Sequence, residues 1–156
     1  MGEEQEVFEI GTVNLKRPGG YTPYIPADIT ERFISPGAGL ILGIEFEGTA
    51  CGAVTGDVRR DPEGEAFFRI LSMYIAPVSR RLGAGRLLYE TLKRYLAERD
   101  DAPAMILADF YAVDRGSEAL YKFFKAVGMV DTDPVEEVEA DRKDLRRYTL
   151  VSTLGN

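Results

Sequence analysis

The sequence predicts a mixed α/β fold (α+β in arrangement) with a mostly antiparallel sheet, and three features carry that expectation. Three strand-length apolar runs follow one another, Leu40–Phe46, Thr49–Val58 and Phe67–Ile75, joined by tight turns at Glu47-Gly48 and Asp61-Pro62-Glu63-Gly64. The hydrophobic period then changes from two to 3.6 at Ala84, so a helix follows the third strand. A further apolar run, Ala104–Tyr111, leads into a second amphipathic segment, Ser117–Val127. Strands joined by hairpins run antiparallel, whereas a strand, helix, strand passage makes a parallel pair through a right-handed crossover.

Taken in order, Val7–Leu15 reads as a first strand of imperfect alternation. Arg17–Pro26 holds three prolines and two glycines and reads as loop. Asp28–Ile34 is a short helix stopped by Ser35-Pro36-Gly37. Phe67–Ile75 is rich in aromatic and β-branched residues, and Pro77 ends it because proline has no N–H for a sheet ladder. The helix Ala84–Glu98 gathers Ala84, Leu88, Leu92 and Tyr95 on one face, with Leu87, Thr91 and Leu96 beside them. Glu90 and Arg94 form a favourable i,i+4 pair on another side. Arg99–Pro103 is a polar break before the Ala104 strand. In the second helix Leu120, Phe123, Phe124 and Val127 make the apolar stripe, and Gly128 suits the C-terminal cap. Val130–Val151 contains two closing strands, with Tyr148–Val151 the clearer. No boundary or repeat interrupts the pattern, so one domain over residues 1–156 is expected.

Composition excludes several kinds of chemistry. The chain has no histidine, which removes a Ser-His-Asp triad, a Cys-His pair and every His-ligated metal site. Its one cysteine, Cys51, allows no intrachain disulfide and no Cys-rich zinc site, so no metal is expected. Cys51 falls inside a strand and reads as a small buried residue rather than a nucleophile. The net charge of −7 argues against nucleic acid as a partner; it is weakly consistent with a cationic acceptor such as an amine, and simple solubility is the preferred account of it. No apolar run approaches a membrane span, and the opening MGEEQEVFEI lacks the plan of a secretory signal. A soluble cytoplasmic protein without membrane partners is therefore expected.

The segment Ser79–Gly85 is a short basic, glycine-bearing loop between a strand and a helix. The first turn of a helix has N–H groups without intrahelical partners, and the macrodipole adds positive charge there. Gly83 and Gly85 leave the backbone approachable, and Arg80, Arg81 and Arg86 add mobile charge. The expected ligand is a pyrophosphate or a similar anion. No G-x-x-x-x-G-K-[ST] occurs, and Leu88 stands where the third glycine of G-x-G-x-x-G belongs.

Arg80-Arg81-Leu82-Gly83-Ala84-Gly85 resembles the [QR]-x-x-G-x-[GA] acetyl-CoA loop of the GNAT N-acetyltransferase superfamily, and Met73-Tyr74-Ile75-Ala76-Pro77 is similar to that family's L-Y-V-x-P approach. The element order agrees with the family from Leu40 to Val151. The resemblance implies a central sheet with helices on both faces and strands splayed at the acetyl-CoA site. It implies acetyl transfer from acetyl-CoA to an amine, on a small molecule or a peptide, by direct attack in a ternary complex. Backbone groups of Met73, Tyr74 and Ile75 would pair with the pantetheine arm, and residues Arg80 to Arg86 would take the pyrophosphate. Such domains often pair, so a homodimer is compatible with it.

The proton-transfer positions depart from the family pattern. Set on Gly128, the motif N-x-x-A-x-x-[FL]-Y-x-x-x-G-F places Ser117 at the Asn and Phe124 at the acid tyrosine, both beside the cofactor. Phe124 cannot donate a proton. Tyr121, one turn earlier, is the substitute acid, and the family's strand glutamate falls at Arg69. Asp109 is the leading candidate base, with Asp57, Glu65, Tyr111 and Asp114 behind it. These departures keep a second reading open, a GNAT-fold CoA-binding module with little or no catalysis.

Overall fold

The computed structural model describes residues 8–14, 16–26, 39–112, 115–134 and 144–154. The predicted helix at 28–34 and the candidate Asp114 lie outside them, as do both ends of the first predicted strand. Among the described residues seven strands form one sheet in the order β1-β2-β3-β4-β5-β7-β6. The chain divides into two compact units, residues 1–57 with 71–95, and residues 58–70 with 96–156.

In the first unit, β1 (Phe8–Thr12) pairs antiparallel with β2 (Gly39–Phe46), and β2 with β3 (Thr49–Arg60). The β2–β3 turn is the predicted one: Glu47 and Gly48 both take positive φ, 50° and 83°, as a two-residue hairpin requires. The Arg17–Pro26 stretch is more ordered than the loop expected, since Gly19–Tyr24 forms 3-10 turns. Pro18 sets the entry, and the i→i+3 bonds Tyr21 N–H to Pro18 O and Ile25 N–H to Thr22 O bypass Pro23, which has no N–H. This segment packs Tyr21 and Tyr24 onto a cluster of Ile25, Ile41 and Ala53. The Tyr21 ring occupies the space a side chain at Gly43 would need.

Burial and the neighbouring Glu45 carboxylate push the Tyr21 phenol from its ordinary value near 10 up to about 12. An acid with a raised folded-state pKa leaves stability intact below pH 10. That stability falls as pH rises from about 10 through 12, where only the unfolded chain ionises. Wild type is therefore expected to lose more thermal stability between pH 10 and 12 than Tyr21→Phe does, a difference that melting curves across that range measure.

After β4 (Ala66–Ile75) comes a single helical turn, α1 (Pro77–Arg80), where only a basic loop was expected. Proline suits the first helical position, because its missing N–H would have had no partner there. The helix α2 (Ala84–Ala97) matches the predicted span to one residue. Its buried stripe is Ala84, Leu88, Tyr89, Leu92 and Leu96, while Leu87 and Tyr95 remain 40% and 39% exposed. The stripe is thus centred nearer Leu92 than the sequence suggested, with Tyr89 in place of Tyr95.

In the second unit, β4 begins in parallel with β5 (Met105–Tyr111), from Phe67↔Met105 to Ile70↔Ala108. The Asp61–Gly64 turn forms as expected, with the Asp61 side chain accepting the Glu65 N–H at 2.8 Å. The helix α3 (Arg115–Ala126) ends in a Schellman cap: Met129 N–H donates to Phe124 O and Gly128 N–H to Lys125 O, with φ of 104° at Gly128. The tail supplies β6 (Val130–Asp131) and β7 (Arg147–Thr153), and β7 pairs antiparallel with β5 along its whole length.

Candidate functional site

The β4–α1–α2 segment of the first unit holds most of the residues expected at the anion loop. Met73 and Ile75 are buried, whereas the Tyr74 side chain between them is 50% exposed. Beyond Pro77 the turn α1 brings Arg80 back beneath the strand, where its Nε donates to the Ile75 carbonyl at 2.8 Å. That bond ties the first arginine of the loop to the end of β4. Arg81 and Leu82 are exposed, Ala84 and Gly85 are buried at the start of α2, and the Arg86 side chain is exposed.

Gly83 has φ of 83°, and a Cβ built on it meets no atom within 4 Å. Its glycine is therefore required by backbone conformation, while the space beside it is open. Leu87 N–H makes the first i→i−4 bond of α2, to Gly83 O at 3.1 Å. The N–H groups of Ala84, Gly85 and Arg86 precede it and stand where a helix start has no intrahelical acceptor. Backbone donors and the macrodipole thus meet at one exposed turn flanked in sequence by three arginines, an arrangement suited to a multiply charged anion.

Three residues that sequence reading did not single out shape the end of β4. Thr55 and Ser72 face each other across β3 and β4 with buried hydroxyls 2.6 Å apart. Gly52, in the middle of β3, lies against the Tyr74 carbonyl and Ile75. The signal for Gly52 was present, since a lone glycine in a strand pattern marks a bulge or a close backbone approach.

The second unit holds the described candidates for proton transfer other than Asp57. Phe124 is fully buried, with its ring 6.1 Å from that of Phe110, and Ser117 is buried one side of the same helix. Tyr121 leans over β7 instead. Its ring stacks on Tyr148 at 4.3 Å, and its hydroxyl donates to Asp131 Oδ2 at 3.0 Å. Lys125 Nζ meets the same oxygen at 2.9 Å. The hydrogen bond to Asp131 holds the Tyr121 phenol above its usual range.

Asp109 accepts two bonds from Arg147, at 2.8 and 2.6 Å, and one from Thr149 at 3.1 Å. Tyr148 pairs with Phe110, so Tyr121 lies on the Phe110 face of the ladder and Asp109 on the other. The two catalytic candidates are therefore not brought together. Tyr111 lies under the Arg147 guanidinium at 5.8 Å, Glu65 is exposed after its turn, and Asp57 is buried in β3. Among the described residues no three His, Cys, Asp or Glu side chains converge as a metal site. No described helix is long and apolar enough to cross a membrane.

The sequence matches the model of the Acetyltransferase (GNAT) family over residues 10–128. The chain belongs to the GNAT acetyltransferase family. No curated protein sequence matches it. Solved structures share its fold at low identity. The ribosomal-protein-S18-alanine N-acetyltransferase of Escherichia coli is 16% identical, with a TM-score of 0.65 over 96% of this chain and 95% of that one. Arabidopsis thaliana Naa50, in complex with the bisubstrate analogue CoA-Ac-MVNAL, is 13% identical, with a TM-score of 0.66 over 94% and 98%. An aminoglycoside acetyltransferase from an uncultured soil metagenomic sample is 14% identical, with a TM-score of 0.62 over 86% and 99%. The matched residues include the Gly83 turn.

Proposed function

We propose that the chain is an N-acetyltransferase that takes its acetyl group from acetyl-CoA and delivers it to an amine, on a small molecule or a peptide, by direct attack. The observation that carries this reading is the turn at Gly83: a left-handed glycine with open space beside it, at the start of α2, between Arg80 and Arg86. Acetyl-CoA suits it, since its pyrophosphate matches the backbone donors of residues 84 to 86 and the neighbouring guanidinium groups. Arg80, held to Ile75 O, couples that turn to the strand end. There the backbone of Met73, Tyr74 and Ile75 would pair with the pantetheine arm, and one N–H would polarise the thioester carbonyl. The cofactor supplies the activated acetyl group. Asp109 and Tyr121 already have partners, so water around the exposed end of β4 is the route we propose for the acceptor's proton.

One observation favours the second reading, a CoA-binding module with little catalysis. The acid position holds a buried Phe124, and Tyr121, one turn earlier on the same helix, is committed to Asp131. Thiol release from acetyl-CoA across a panel of amines, polyamines, aminoglycosides, amino acids and peptides, run beside calorimetric titration with CoA, separates the two. Turnover with any acceptor supports the enzyme; tight CoA binding with none supports the module; absence of CoA binding defeats both. For Tyr121→Phe we expect a rate within about threefold of wild type, because an acid's removal would cost the 10²–10⁴ typical of general acid–base help. A hundredfold loss in the same assay would return Tyr121 to the chemistry.

A further inference from the structure

Strand β3 carries one residue too many against β2. The register passes from Ile44↔Gly52 to Glu45↔Ala50, which leaves Cys51 as the extra residue of a bulge. A bulge bends its strand, sharpens the twist and re-aims the groups beside it. Here the re-aimed groups meet the end of β4. The Cys51 carbonyl accepts the Ala76 N–H at 2.7 Å. A Cβ on Gly52 would stand 2.5 Å from Ile75 Cδ1, 2.7 Å from the Tyr74 carbonyl oxygen and 3.2 Å from Ile75 Cα. The first of these atoms can swing away, but the other two belong to the backbone. Arg80 Nε also holds the Ile75 carbonyl at 2.8 Å. The last residues of β4 are thus held by both the bulge and the arginine.

We infer that Gly52 is a positioning residue for the cofactor: the missing side chain sets where the Tyr74–Ile75 backbone stands, and so how it grips the pantetheine arm. The inference rests on the reading that this strand end takes acetyl-CoA. Any side chain at residue 52 pushes that backbone out of place, and with it the Ile75 carbonyl that Arg80 holds, while Gly83, Arg81 and Arg86 stay as they are.

The test compares Gly52→Ala with Gly43→Ala. Gly43 lies on β2 rather than beside β4, and the three atoms nearest a Cβ there belong to the side chains of Tyr21 and Val13. Both variants are expected to melt lower. Only Gly52→Ala is expected to weaken CoA by tenfold or more in calorimetry, and to raise KM for acetyl-CoA while KM for the acceptor stays put. If Gly52→Ala does not fold, Gly52→Ala with Ile75→Val removes the Cδ1 contact and carries the same test, because the backbone contacts remain. Affinity within twofold of wild type in the folded variant overturns the inference, as does an equal loss in Gly43→Ala. Wild type that does not bind CoA overturns the cofactor reading itself, which is a different failure.

Discussion

Replacing Gly83 with valine is expected to lower CoA affinity about a hundredfold while lowering Tm by only a few degrees. The two effects have separate causes. The φ of 83° is a left-handed conformation that costs an L-residue roughly 1–2 kcal/mol. In a chain of this size that is about 2–8 °C of Tm. No clash adds to it, since a Cβ there meets nothing within 4 Å. The space that spares the folded protein is the space an anion needs. A branched side chain fills it and turns the N–H groups of the next residues off their common direction. Losing two hydrogen bonds to a charged ligand, at about 1.5–3 kcal/mol each, amounts to two orders of magnitude or more in Kd. Calorimetric titration with CoA, paired with a melting curve, reads both quantities. Unchanged affinity in a folded Gly83→Val protein would mean the anion site lies elsewhere.

The geometry of that turn was legible in the sequence because everything defining it is local. Strand, proline, basic turn, glycine and helix follow within twenty residues, and each has a backbone rule attached. The Glu47-Gly48 hairpin and the Gly128 cap were legible for the same reason. What could not be read depends on partners far along the chain. The apolar stripe of α2 is wider than the surface that covers it, and periodicity alone does not say whether Tyr89 or Tyr95 is turned inward. Asp109 was a candidate base because it lies near a strand end, and its partner Arg147 is 38 residues away. Tyr121 looked like a displaced acid because helical spacing puts it one turn from Phe124. Its direction is set by Tyr148 and Asp131, on strands whose register only the folded chain reveals.

Asp109→Ala is expected to damage stability far more than chemistry. The Asp109 and Arg147 side chains are 15% and 16% exposed, and the carboxylate takes two guanidinium donors and the Thr149 hydroxyl. Removing one member of a fully buried pair costs about 3–5 kcal/mol, chiefly because the remaining charge keeps its desolvation without its acceptor. At this partial exposure about 2–4 kcal/mol is expected, or roughly 5–15 °C of Tm. Replacing both members by apolar residues, as in Asp109→Leu with Arg147→Met, should recover much of that loss, because no charge is then left behind. A structural anchor and a catalytic base diverge at this point. An anchor predicts that the stabilised double variant, assayed well below its Tm, turns over within a few-fold of wild type. A base predicts that it melts normally and is slower by 10² or more, since restored packing cannot return a proton acceptor. The bidentate arginine favours the anchor: its two charge-assisted bonds and the Thr149 hydroxyl already occupy both carboxylate oxygens.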